Sequence, residues 1–265
     1  MQVTGLKVSQ FRNIQNLELH PCPGVNVIYG ENGQGKSNLL EAIWLITGAG
    51  SFRQSKLHEM IRIGESASVL EMKFVDAQRE QTGWMMLSGR KEVQFNRIPC
   101  RSQSETAGHF YGVVFSPSDL DLIQGGPKYR RQFCDDAISQ LRPQYAEYLD
   151  GYRKVLDQRN SLLKEILRQP SLQETLFLWD EQLARLGTII SLYRKDYLHK
   201  LNRFCQPLYQ GLSGGKESFS LRYQSSAFED LEQLGGYTPE TVEAYQQKLC
   251  AGLETDLRQG STSVG

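Results

Sequence analysis

The stretch VNVIYGENGQGKSNLLEAIWLITG, Val25 to Gly48, holds a complete phosphate-binding loop. Gly30, Glu31, Asn32, Gly33, Gln34, Gly35, Lys36 and Ser37 fit G-x-x-x-x-G-K-[ST] with no substitution. The flanks are those the loop requires. VNVIYG is β-branched and apolar, the composition of a buried strand, and is bounded by Gly24 and Gly30. After the loop, Leu39, Leu40, Ile43, Trp44 and Ile46 recur at helical spacing with no breaker before Gly48. Glycines let the backbone wrap closely enough for successive N–H groups to face phosphate oxygens, and the helix N-terminus adds its positive end. In that geometry Lys36 reaches the β- and γ-phosphates and the Ser37 hydroxyl holds Mg²⁺. A glycine-rich turn matching by chance is the competing reading. Strand, loop and helix in the right order favour a nucleotide site instead.

Bulk composition neither adds to this nor opposes it. The 265 residues carry 30 basic and 30 acidic side chains, so any nucleic-acid site must rest on a local patch. The length allows one large or two modest domains. No apolar run reaches membrane-spanning length, and the N-terminus lacks a basic segment followed by an apolar one. The five cysteines, Cys22, Cys100, Cys134, Cys205 and Cys250, are scattered and form no C-x-x-C. They point to a reducing, cytoplasmic setting without a disulfide frame or a metal site. The four histidines are equally dispersed.

The chain changes character along its length. Residues 1–138 read as strand-rich with one loop-helix insertion. QVTGLKVSQF and IQNLELHPCPGVNVIYG lead into the loop, and ASVLEMKFV, QTGWMMLSG and KEVQFNRIP form a meander. GVVFSPSDL reads as another buried strand ending at Pro117, with Ser118 or Asp119 placed to cap the next helix. Residues 139–205 read as a helical hairpin. Tyr145, Tyr148, Tyr152, Val155, Arg159, Leu162 and Ile166 recur at spacings of three and four, as do Leu172, Leu176, Trp179, Leu183, Leu186, Ile190, Tyr193 and Tyr197. Pro170 stops the first helix and Ser171 can begin the second. Arg159 interrupts the seam, and either snorkels to solvent or is placed there for a purpose. Residues 206–265 predict a return strand, ESFSLRYQS, and a helix opened by Thr238-Pro239-Glu240.

Several blocks together resemble the RecF family of bacterial recombination-repair ATPases, of the ABC/SMC class. They are Phe11-Arg12-Asn13 ahead of the loop, Leu40-Glu41-Ala42-Ile43 after it, and Ser51-Phe52-Arg53 beyond. FSPSDLDLIQGGPKYRRQFCD (Phe115–Asp135), VLDQRNSLLK (Val155–Lys164) and LWDEQLARLG (Leu178–Gly187) extend the resemblance along essentially the whole chain. Ser118 stands where an acidic residue is more usual. The resemblance implies an α/β P-loop ATPase head, a mixed sheet around the nucleotide loop, with an inserted helical lobe. It implies ATP and Mg²⁺ as cofactors and an ATP-driven homodimer in which two heads sandwich the nucleotide. It also implies binding to gapped or single-strand/double-strand junction DNA, with RecR and RecO, to help load RecA in replication, recombinational repair and the SOS response. Arg12 and Asn13 become candidate nucleotide contacts and Lys128 a candidate DNA contact, while Arg53 could enter the site from its loop.

The family's signature, Walker B strand and acidic loop are expected after a G-x-T-x-x-G-P-H segment, and GSTSVG ends where that begins. One run of four apolar residues followed by Asp-Glu occurs, Leu176-Phe177-Leu178-Trp179-Asp180-Glu181, but it lies within the helical hairpin and follows no signature segment. The expectation is a C-terminally truncated member that holds Mg·ATP without a catalytic residue of its own to turn it over. Leu212-Ser213-Gly214-Gly215 spells the start of the transporter signature LSGGQ, but strand-like text follows it, so it reads as a tight turn. A nucleotide-binding subunit of an ABC transporter is the alternative, disfavoured by the Phe11-Arg12-Asn13 and Phe115–Asp135 blocks. A P-loop kinase would ordinarily lack the helical hairpin. In KYRR, Arg130 and Arg131 are expected to tie their helix to Asp119, Asp121 or Asp135, leaving Lys128 for DNA phosphate.

Overall fold

A computed structural model describes residues 1–77, 79–231 and 235–264. The chain divides into two compact units, Met1–Ala146 and Glu147–Gly265. In the first, strands β1 (Gln2–Phe11), β2 (Ile14–Leu19), β3 (Ser68–Val75), β4 (Glu80–Leu87), β5 (Lys91–Phe95) and β6 (Ile98–Cys100) form one sheet. Its order is β2-β1-β3-β4-β5-β6, and every pairing is antiparallel. Burial alternates along β3 and β4, as a sheet with one covered face requires. Leu6, Val8, Leu70, Met72, Phe74, Met85 and Phe95 point to the covered face, where helix α1 (Lys36–Leu45) adds Leu39, Ala42 and Leu45. Each such side chain contributes about 1.5–3 kcal/mol by leaving water. This packing holds α1, and the loop at its N-terminus, on a rigid base.

Single-turn helices α2 (Leu57–Met60), α3 (Gln103–Thr106) and α4 (Asp121–Gln124) punctuate the connections before the longer α5 (Pro127–Leu141). The capping residue is Ser116 rather than Ser118 or Asp119, and it caps the 3-10 turn that precedes α4, while α4 itself starts after Leu120 with no side-chain cap. Pro117–Leu120 form a 3-10 turn, and the Asp119 carboxylate accepts from the Ser116 N–H in a capping box.

The second unit is helical, as its heptad-like spacing predicts. It contains most of α6 (Pro143–Ile166), the 38-residue α7 (Leu176–Ser213), α8 (Pro239–Ala251) and α9 (Leu253–Gln259). Val155, Leu183, Ala184, Phe228, Tyr245 and Leu249 make its core, joined by Val264 from the segment after α9. The turn between α6 and α7 differs from expectation. A 3-10 turn, Pro170–Thr175, intervenes, and the second long helix starts at Leu176 instead of Ser171. No helix among the described residues is long and apolar enough to cross a membrane.

Three predicted strands are not formed. VNVIYG, GVVF and ESFSLRYQS run as irregular chain outside every ladder among the described residues. The physical reason is the same for each. An apolar strand is stable only when a neighbour satisfies its N–H and C=O groups, and the described sheet closes at β2 and β6 without taking them up. Val27, Tyr29, Val113 and Phe115 accordingly stand 78, 90, 99 and 91% exposed. ESFSLRYQS finds a substitute partner in a side chain: Asn202 donates to the Leu221 carbonyl and accepts from the Leu221 N–H, both at 2.6 Å. Leu212-Ser213-Gly214-Gly215 is the C-terminal end of α7, not a turn into a strand. Gly214 takes the left-handed conformation (φ 62°) and closes the helix through its N–H to the Gln210 carbonyl.

Candidate nucleotide site

The loop Gly30–Ser37 joins directly to α1, whose first helical residue is Lys36. Gly35 is the N-cap with φ 96°, a left-handed conformation that strains any residue bearing a Cβ. A Cβ there would also stand 2.6 Å from Asn13 Oδ1. With no side-chain cap and no acidic residue in the first turn, the orphan amides and positive end of α1 face outward without a competing carboxylate. Lys36 Nζ donates to the carbonyls of Gly30 (2.8 Å) and Glu31 (2.7 Å), so the ammonium is held over the loop's entrance. Ser37 is exposed beside it. Left-handed glycine, uncapped helix terminus, ammonium and hydroxyl are the donor set that polyphosphate with Mg²⁺ requires, and these residues fit that ligand.

Arg12 and Asn13 form the two-residue turn between β1 and β2, with Arg12 at φ 54°. They reach the loop region from different sides. Arg12 turns its guanidinium to α1: Nε and Nη2 donate to the two oxygens of Glu41 at 2.9 and 2.8 Å. Nη2 also donates to Ser55 Oγ and Nη1 to the Glu59 carbonyl. Asn13 touches the loop itself, its Nδ2 donating to the Gly33 carbonyl at 2.6 Å. Arg53 stands beside α1, donating to Asn38 Oδ1 at 2.7 Å with Glu41 4.0 Å away.

Glu41 is the hub that residue-by-residue reading passed over. Its side chain is fully buried, yet it gathers Arg12, Ser51 and Arg53. The available signal was a carboxylate among the buried positions Leu39, Ala42 and Leu45 of an otherwise apolar helix face, where an unpaired charge would be costly.

The basic cluster resolves into separate roles. Arg130 Nη1 donates to the carbonyls of Leu122 and Gly125, bracing the turn between α4 and α5. The expected structural role is met by backbone carbonyls, and none of Asp119, Asp121 and Asp135 is its partner in these bonds. Asp135 is buried and accepts from the Tyr145 hydroxyl. Lys128 is exposed in the first turn of α5 and reaches Gln54 Oε1 at 3.2 Å. Arg131 is exposed.

The RecF/RecN/SMC N terminal domain family matches residues 2–109. Over its full length the chain is 34% identical to the DNA replication and repair protein RecF of Lachnoclostridium phytofermentans, covering 71% of that protein. It is 38% identical to the protein of the same name from Agathobacter rectalis, covering 70% of it. A solved structure described as the recombination mediator protein RecF-ATPrS in the RecFOR pathway superposes with a TM-score of 0.90 at 35% identity, over 99% of this chain and 70% of that one. Its RecF-ATP counterpart gives a TM-score of 0.86 at the same identity. The architecture is that of an ABC/SMC-type ATPase head carrying a helical lobe.

Proposed function

This chain belongs to the RecF family of DNA replication and repair proteins, and from that premise we propose that it binds Mg·ATP through Gly30–Ser37. We extend the proposal to action on gapped or junction DNA, with RecR and RecO, to help place RecA on single strands. The observation that carries the nucleotide reading is the uncapped N-terminus of α1, with Gly35 left-handed and Lys36 poised over the loop. The loop and α1 amides would hold the phosphates, Lys36 would neutralise charge on the β- and γ-groups, and Ser37 would ligate Mg²⁺. Bound ATP would supply the energy for closing two heads around DNA. The transporter reading is not favoured, since LSGG ends a helix here and the relatives are named for DNA replication and repair.

Two results are expected. Lys36→Met weakens binding of a fluorescent ATP analogue by about ten- to a hundredfold, the worth of a charge-assisted contact. In the same preparation the 265-residue chain hydrolyses ATP no faster than that variant, because its one apolar run ending in an acidic pair, Leu176–Glu181, is the start of helix α7 and not a strand. Turnover that Lys36→Met abolishes would refute the second half. For DNA, Lys128→Glu should weaken gel-shift binding to a gapped duplex at moderate salt and flatten the salt dependence by about one phosphate contact. Unchanged binding would sink Lys128 as a DNA contact.

A further inference from the structure

Asn13 is held more firmly than a turn residue needs to be. Its own backbone is fixed from outside the turn: Arg62 Nη1 donates to the Asn13 carbonyl at 2.7 Å, and the Arg12 N–H donates to the Met60 carbonyl at 2.9 Å. The Arg62 N–H in turn donates to the Gln10 carbonyl. The side chain is held as well, since Asn38 Nδ2 donates to Asn13 Oδ1 at 2.8 Å. Asn38 is fixed in its turn by Arg53. What this bracing presents to the loop is one donor, Asn13 Nδ2, at 2.6 Å from the Gly33 carbonyl.

That bond decides which way a peptide group faces. In a planar trans peptide the C=O and the N–H point in opposite directions. Drawing the Gly33 carbonyl toward Asn13 therefore turns the Gln34 N–H away from Asn13. Glycine at 33, with φ 85°, has access to both orientations of this peptide, so something must choose between them. A phosphate cradle works only when its successive N–H groups converge on the anion.

We propose that Asn13 is a positioning residue for polyphosphate: it pins the Gly33 carbonyl outward so that the Gln34 amide faces the ligand. On this assignment Asn13 touches neither base nor ribose. Asn38 holds the Asn13 carboxamide in the orientation that makes Nδ2, not Oδ1, the atom facing the Gly33 carbonyl. The inference rests on the reading of Gly30–Ser37 as an ATP loop.

The test is affinity for three ligands: ATP, ADP and inorganic tripolyphosphate, by calorimetry on the 265-residue chain with Lys36→Met as control. If neither wild type nor control binds ATP, the nucleotide reading itself fails. If wild type binds and Lys36→Met does not, the positioning role is tested by Asn13→Leu, which is close in size, adds no charge and removes the donor to Gly33. The expected result is a loss of about tenfold, equal within error for all three ligands, with the unliganded melting curve unchanged. Loss for ATP and ADP that spares tripolyphosphate would mean a base or ribose contact and would overturn the proposal, as would unchanged affinity. If Asn13→Leu does not fold, Asn38→Ala carries the test, with a uniform loss of about threefold supporting the proposal and no loss overturning it.

Discussion

Arg159→Leu is expected to destabilise the helical unit by about 3–5 kcal/mol, because it strips one partner from a buried ionic cluster. Arg159 is fully buried on α6. Its Nε donates to Asp180 Oδ1 of α7 at 2.6 Å, and its Nη1 donates to Asp256 Oδ2 of α9 at 2.8 Å and to Thr262 Oγ1 at 2.9 Å. Asp256 also accepts from the Ser263 N–H, and Asn160 Oδ1 accepts from the Thr262 N–H and hydroxyl. One guanidinium thereby ties together three helices and the segment after α9. The variant would leave two carboxylates buried without a countercharge. Burial already pushes the Asp180 carboxyl above its usual range, with the Arg159 hydrogen bond pulling it back. Without Arg159 only the upward pull remains. A carboxyl whose folded pKa lies above its unfolded one contributes stability at low pH that is lost as pH rises. The deficit of Arg159→Leu should therefore narrow as pH falls from neutrality into the acid range, as urea titrations followed by far-UV circular dichroism would show. A deficit below about 1 kcal/mol near neutrality would remove the cluster from the list of what holds this unit together. Nη2 of Arg159 has no hydrogen-bond partner among the described residues. Replacing Arg159, Asp180 and Asp256 together by apolar residues should accordingly restore most of the loss.

Arg159 also marks where sequence reading stops. Its place in the apolar seam was visible, but the snorkelling reading treats it as a single side chain. Its partners lie 21 and 97 residues away, separations at which sequence spacing carries no information. The elements that emerged as expected draw on local signals: alternation in β3 and β4, and three-four spacing in α6 and α7. The strands that did not form, at VNVIYG, GVVF and ESFSLRYQS, have equally good local signals. Strand formation is a pairing property, and composition reports only the willingness of one partner. The same division runs through the nucleotide site. The Gly30–Ser37 motif is legible as a candidate phosphate loop because the proposed chemistry depends on its spacing. Asn13 is legible as a candidate nucleotide contact, but its bond to the Gly33 carbonyl and the parts of Asn38, Glu41 and Ser51 are not, because these are set by which carbonyl or guanidinium the fold brings to them.

Glu41 offers the corresponding test in the first unit, where stability and ligand affinity should fall together. Glu41→Ala is expected to cost about 3 kcal/mol, since it leaves the Arg12 guanidinium, 15% exposed, without its carboxylate. Arg12 has other acceptors in Ser55 Oγ and the Glu59 carbonyl, but neither carries charge. Arg12 and Asn13 share one tight turn, so freeing the first loosens the second, and with it the bond to the Gly33 carbonyl. ATP affinity should then drop several-fold even though Glu41 belongs to the wall behind the loop and not to its phosphate-facing donors. A double-mutant cycle separates pairing from packing. If the ion pair is what matters, Arg12→Met alone should cost about as much as Glu41→Ala, and the two together little more than either, a coupling of about 1.5 kcal/mol or greater. Additive costs would instead mean that each side chain acts through its own packing. The Arg12–Asn13 turn would then be held to α1 by shape, and ATP affinity in Glu41→Ala should stay at the wild-type value.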